Sequence, residues 1–183
     1  MTIPVLILPG IGGSGPDHWQ SLWEHTDPDM TRFAPSDWDR PDLADWCGAL
    51  DRAIKAQDRP PILVAHSLAC LLVAHWAATR ATLAAGAMLV AVPDPSAPAF
   101  PDEARSFAPA PDQPLPFPSM IIASTSDPYG AVGHSERCAQ QWGSRLIALG
   151  PLGHINTASN LGDWPAGREI LASFRAELEG NST

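Results

Sequence analysis

PPILVAHSLACLLVAHW, residues 60–76, changes its periodicity halfway along. Behind Pro60 and Pro61, Ile62 to Ala65 form an unbroken apolar run, short enough for a strand buried on both faces. From Leu68 onward, Ala69, Leu72, Val73 and Trp76 recur at helical spacing. Ser67 stands at the junction, with small Ala65 and Ala69 two positions away on either side. A hydroxyl at the point where a buried strand turns into a buried helix is either a helix N-cap or a reactive group lifted above the sheet. The rest of the chain decides between the two.

On either side of this stretch, strand and helix patterns alternate. Ile3 to Leu8 reads as a buried strand, followed by a glycine loop from Gly10 to Gly15 and a helix from about Pro16 to His25. Thr31 to Ala34 is a short second strand, and Pro41 takes a first-turn position in a helix running to about Gln57. The helix after Ile62–Ala65 runs to about Arg80. Ala87 to Val92, Ser119 to Ser124 and Arg145 to Leu149 are further strands, with helices over about Tyr129 to Trp142 and about Ala166 to Leu178. Short apolar strands alternating with helices predict an α/β fold: a six-stranded parallel sheet, order 2-1-3-4-5-6, covered by helices on both faces. Residues 1–180 are expected to form one domain, with 181–183 a tail. Asn181-Ser182-Thr183 matches a glycosylation sequon. Residues 93–118 carry nine prolines and little apolar period, and read as a loop over or near a site.

Composition narrows the classes. A chain of 183 residues fits one domain with a substantial core, and its formal charge of −9 argues against nucleic acid and anionic membrane as partners. Met1 to Gly10 lacks the pattern of a signal peptide, and His66, Ser67 and His75 interrupt the longest apolar stretch. Cys47, Cys70 and Cys138 form no C-x-x-C pair and read as buried small residues, with no metal site. The expected setting is a reducing cytoplasm.

Ala65-His66-Ser67-Leu68-Ala69 has the small-x-Ser-x-small form of a nucleophile elbow, the strand-to-helix turn of the α/β-hydrolase fold. A serine nucleophile needs a base oriented by a carboxylate, in the chain order Ser, acid, His. Asp127, in TSDPYG (125–130), follows the fifth strand, and His154, in GPLGHIN (150–156), follows the sixth. All three belong at the carboxyl edge of the sheet, where such folds bind ligands. Asp127 alone is also a good N-cap, and His154 alone an ordinary loop histidine; the order of the three outweighs those readings. His66 is a poor base because neighbours in an extended segment point to opposite sides. His75 reads as packed or surface, and His25 and His134 have no distinguishing context. His18 and Trp19, after the glycine loop, are candidate substrate-pocket residues, with packing at a helix start the plainer alternative for His18.

Gly10, Gly12 and Gly15 also fit G-x-G-x-x-G, and Asp37 lies near where a ribose-binding acid is expected, so a dinucleotide site on the Gly10–Gly15 loop is an alternative. Pro9, Pro16 and the bulky DHWQSLW (17–23) speak against it. In the hydrolase reading the glycines let backbone N–H groups, that of Ile11 together with Leu68, approach a substrate oxyanion.

LPGIGGSGPDHWQSLWE (8–24), AHSLAC (65–70), SDPYG (126–130), GHIN (153–156) and LGDWPAG (161–167) resemble the YdeN family of small serine hydrolases, which includes retinoblastoma-binding protein 9. The resemblance spans nearly the whole chain. It implies a compact α/β hydrolase with a reduced sheet and no large cap domain, and assigns by position Ser67 as nucleophile, Asp127 as acid and His154 as base. Ala69 departs from the glycine common in the family. Binding to retinoblastoma protein is not carried over, because Leu68-Ala69-Cys70-Leu71-Leu72 lacks the acid of L-x-C-x-E.

The expected function is hydrolysis of an ester or related acyl bond of a small-molecule substrate, with no metal or organic cofactor implied. The alternative from another class is a hydrolase-fold module that binds a small molecule or protein without turnover.

Overall fold

The computed structural model describes residues 2–79 and 84–180. Six strands form one sheet: β1 (Val5–Leu8), β2 (Met30–Arg32), β3 (Ile62–His66), β4 (Gly86–Val90), β5 (Ser119–Ser124) and β6 (Arg145–Leu149). Every pairing is parallel and the order is β2-β1-β3-β4-β5-β6, as the alternation predicts. Because side chains alternate along a strand, each strand feeds two cores. Leu6, Leu8, Leu63, Ala65, Ala87, Leu89 and Ile121 face one layer; Val5, Ile7, Ile62, Val64, Met88, Val90, Met120 and Ile122 face the other.

The first layer is closed by α2 (Leu43–Lys55), α3 (Leu68–Thr79) and α4 (Val132–Trp142), the second by α1 (Trp19–Thr26) and α5 (Pro165–Gly180). No cap domain is evident among the described residues. Helix α3 follows the central strand β3 and is buried nearly all round, from Leu68 to Ala77, so the turn that starts it is held on every side.

Helix starts differ from the sequence expectation where a side chain caps the backbone. α2 begins at Leu43 with Asp42 accepting from the Asp45 N–H, which places Pro41 outside the helix. α1 begins at Trp19, three residues later than expected, because the His18 imidazole accepts from the Gln20 N–H. α4 begins at Val132, since the Tyr129 N–H bonds Asp127 and keeps that segment a turn. β4 ends at Val90, where Ala91 turns to φ 57°. The proline-rich segment contains a 3-10 helix, Asp102–Phe107, whose Phe107 is buried and whose Phe107 carbonyl accepts from His75 Nε2 at 2.9 Å. The expected helix end at Arg80 and the sequon at 181–183 lie outside the described residues.

Candidate active site

The loops after β1, β3, β4, β5 and β6 meet at the carboxyl edge of the sheet around a cavity of about 520 Å³. Ser67 follows the end of β3 with φ 55°, a left-handed backbone that a non-glycine residue adopts only where its surroundings impose it. Its N–H donates to the Val90 carbonyl at 2.9 Å, and its carbonyl accepts from Cys70 as α3 begins. The turn is tight because the β1 loop crosses it: a Cβ on Gly10 would lie 3.0 Å from the Ser67 Cβ and from the His66 carbonyl oxygen. A side chain at position 10 would therefore push the loop and the elbow apart, and glycine is favoured there by close approach.

Ser67 Oγ lies 2.8 Å from His154 Nε2, and His154 Nδ1 lies 2.8 and 2.9 Å from the two Asp127 carboxylate oxygens. A carboxylate only accepts, so Nδ1 carries the hydrogen and Nε2 presents its lone pair to the serine hydroxyl. Asp127 is nearly buried, at 2 % side-chain exposure, and its Oδ1 also accepts from the Tyr129 N–H at 2.9 Å. The Tyr129 ring packs 4.6 Å from the His154 ring.

The loop carrying His154 is fixed from three directions. Ser124 Oγ and Ser126 Oγ, at the end of β5, accept from the Leu152 and Gly153 N–H groups at 2.9 and 3.0 Å. His66 Nε2 donates to the His154 carbonyl at 2.9 Å. Trp19 Nε1 donates to the Ile155 carbonyl at 2.8 Å. Ile155 has φ 48°, an outlier for a β-branched residue.

Leu68 and Ile11 both line the cavity. The Leu68 N–H is the first of α3 and has no intrahelical acceptor, and the Ile11 N–H makes no hydrogen bond among the described residues. The loop bearing Ile11 is clamped from behind. Arg32 donates to the Gly13 and Ser14 carbonyls at 2.6 and 3.3 Å. The fully buried Gln20 accepts from Ser14 Oγ and donates to the Leu8 and Val64 carbonyls at 3.2 and 3.0 Å. Asp37 is engaged elsewhere, by the Asp39 and Arg40 N–H groups and the Arg40 side chain.

His18 lines the cavity and is 3 % exposed. Burial, then the nearby Arg32 and His154, lowers its pKa to about 4. His66 is likewise held well below its ordinary value, first by burial and then by the neighbouring His154 and His18. Trp19 corrects the sequence expectation. It is not a lining residue: its indole is buried at 1 % exposure against Trp23 and Trp164, where its N–H reaches Ile155. Sequence reasoning missed the holding roles of His66, Trp19, Gln20 and Arg32; the run HWQ at 18–20 was the available signal, since polar and bulky residues open a helix there. Among the described residues no three His, Cys, Asp or Glu side chains converge to hold a metal, and no helix is long and apolar enough to cross a membrane.

The profile of a family described as serine hydrolase matches residues 5–173. A YdeN-like hydrolase from Pectobacterium atrosepticum is 32% identical, with a TM-score of 0.86 over 97% of this chain and 92% of its own. The ydeN gene product of B. subtilis is 23% identical, with a TM-score of 0.79 over 96% of this chain and 100% of its own. Est1E from Butyrivibrio proteoclasticus, 13% identical with a TM-score of 0.71 over 98% of this chain and 89% of its own, shares the fold. Among curated proteins none matches the sequence.

Proposed function

The chain belongs to the serine hydrolase family as a YdeN-type member with the α/β-hydrolase fold, and on that premise we propose that it cleaves an ester or related acyl bond through an acyl-enzyme formed on Ser67. The observation that carries this reading is the continuous hydrogen-bonded row from Asp127 through His154 to Ser67, ending on a serine with φ 55°.

Ser67 Oγ attacks the acyl carbon while His154 Nε2 takes its proton. Asp127 keeps the imidazole in the tautomer that can accept, and its charge stabilises the imidazolium that forms. The oxyanion receives the N–H groups of Ile11 and Leu68; a donor in such a position contributes about a hundred- to a thousand-fold in rate. As the bond from the acyl carbon to the leaving group breaks, Nε2 returns the proton to that group. Water then attacks the Ser67 ester by the same path and frees the acid and the serine hydroxyl.

Loops alone roof the site. Pro93, Phe100 and Pro101 of the proline-rich segment line one side, and Ile11 and Tyr129, each 38% exposed, stand at the mouth. The substrate is therefore a short acyl compound, because added methylenes stay in water and gain little of the roughly 0.8 kcal/mol that full burial provides. The test is kcat/KM over p-nitrophenyl esters from acetate to palmitate. The expected maximum lies at about two to four carbons; a maximum at about ten or more contradicts the shallow site, and absence of turnover on every ester, thioester and amide contradicts the hydrolytic reading.

A further inference from the structure

His18 holds a hydrogen-bond donor that no protein group among the described residues uses. Its Nδ1 accepts from the Gln20 N–H at 3.2 Å, so in the neutral ring the hydrogen sits on Nε2. Nε2 is buried and without a hydrogen-bond partner among the described residues. A buried donor left unpaired is costly, so the cavity that His18 lines is where its acceptor is to be sought. Burial keeps the ring uncharged near neutral pH, making it a neutral imidazole donor at a helix N-terminus, an electrophile known from other enzymes.

A second residue that lines the cavity carries a donor. Asn156 lines it, and its Oδ1 is committed to the Ala158 N–H at 3.0 Å as the cap of the following turn. That fixes the amide and leaves Nδ2 without an acceptor among the described residues. Both donors lie on the histidine side of Ser67. Asn156 is two residues beyond His154, and the His18 ring is 4.8 Å from the His66 ring, itself 5.0 Å from that of His154. In acyl transfer the leaving group must sit on that side, because its oxygen takes the proton from His154 Nε2. Leu68, Pro93, Phe100 and Pro101 give the cavity apolar walls, and among the described residues no Asp, Glu, Lys or Arg lines it.

We propose that the leaving-group side of the site is a donor subsite built from His18 Nε2 and Asn156 Nδ2, and that the enzyme prefers uncharged esters whose alcohol carries a second oxygen, ether, carbonyl or hydroxyl, a few bonds beyond the scissile one. The inference rests on the acyl-transfer reading and adds the chemistry of the alcohol.

Two esters of one acid and nearly equal shape separate the claims: 2-methoxyethyl butyrate, whose ether oxygen only accepts, and n-butyl butyrate, which lacks it. Acid release gives kcat/KM for each. The wild-type protein is expected to favour the ether ester by about three- to ten-fold, the range of one or two neutral hydrogen bonds. His18→Asn keeps an N-cap oxygen for Gln20 but withdraws Nε2, and Asn156→Ser keeps the second cap while removing Nδ2. Each is expected to shrink the ratio, and the pair to bring it to about one. The ratio is read only for variants with wild-type circular dichroism, and either variant suffices. Equal turnover of both esters by the wild type, or a preference unchanged in the variants, overturns the subsite while leaving acyl transfer standing. Hydrolysis of neither ester, nor of any p-nitrophenyl ester, overturns acyl transfer and the subsite with it.

Discussion

The imidazole of His66 donates from Nε2 to the main-chain carbonyl of His154 across 2.9 Å, so the strand that presents Ser67 also grips the backbone of its hydrogen-bonded partner. Trp19 does the same one residue on, at the Ile155 carbonyl. Between them they hold Ile155 at φ 48°, a conformation that costs on the order of 1–3 kcal/mol and persists only when its neighbours over-determine it. The separation between Ser67 Oγ and His154 Nε2 is thus set by buried contacts behind the site.

His66→Leu removes the donor and leaves the His154 carbonyl buried and unpaired, at a cost of about 1–3 kcal/mol in stability. We expect kcat to fall about ten-fold with KM little changed, because the imidazole loses its alignment more than the substrate loses binding. His66→Gln, which restores an N–H near the same place, should recover most of both. Urea unfolding and steady-state kinetics on the two variants check this; a fall in stability with unaltered kcat would restrict His66 to a packing role.

Asp127→Asn keeps the shape of the side chain but favours the wrong imidazole tautomer. A loss in kcat of about ten-thousand-fold is expected, as for this change in other serine hydrolases. The amide can still accept from the Tyr129 N–H, so thermal unfolding should change little. Near wild-type turnover would mean that another group orients His154.

Gly10 and Gly12 flank Ile11 and should respond differently to alanine. At position 10 the new methyl meets the Ser67 Cβ and the His66 carbonyl oxygen at 3.0 Å, so the loop must retreat from the elbow and carry the Ile11 N–H with it. At position 12 nothing lies within 4 Å, but φ is +78°. Gly10→Ala should lower kcat by about ten-fold or more, whereas Gly12→Ala should act first on stability, by about 1 kcal/mol. Equal effects of the two on kcat would contradict an oxyanion role for this loop.

Stability should fall as the solution is acidified through the histidine range. Burial holds His18 at about 4 and keeps His66 well below its ordinary value. Between about pH 6.5 and 4 the unfolded chain therefore binds protons that these folded imidazoles do not, and the folded state loses ground as the pH falls. His18 alone removes up to about 3 kcal/mol across that window, and nothing above it. Urea midpoints should be flat above about pH 7 and decline below about 6.5, less steeply in His18→Asn, which has no imidazole to titrate there. A flat profile down to about pH 4.5 would contradict this account of the buried rings.

The parallel sheet and its order were legible because short apolar strands and helical periods are local signals, repeated along the chain. The placement of Ser67, Asp127 and His154 in three loops at one edge followed from those strands, since each residue lies just past a strand end. What stayed hidden depends on contacts between distant positions. The bond from Trp19 to Ile155 spans 136 residues, and that from His66 to His154 spans 88. No period or spacing marks either. Trp19 therefore read as a pocket residue when its indole is turned into the core, and His66 read only as an unsuitable base. Helix starts shifted for a nearer reason: the caps at His18 and Asp42 outrank the prolines at 16 and 41, because a side-chain acceptor satisfies an N–H that proline cannot.

The most direct test of the central claim is covalent labelling of Ser67. A fluorophosphonate should add one phosphonyl group to the wild-type protein, seen by intact mass and located by peptide mapping on Ser67. Ser67→Ala, still folded by circular dichroism, should take up none, and its turnover of short acyl esters should fall by several orders of magnitude. A Ser67→Ala variant that is still labelled, or that still hydrolyses esters at the wild-type rate, would contradict the account.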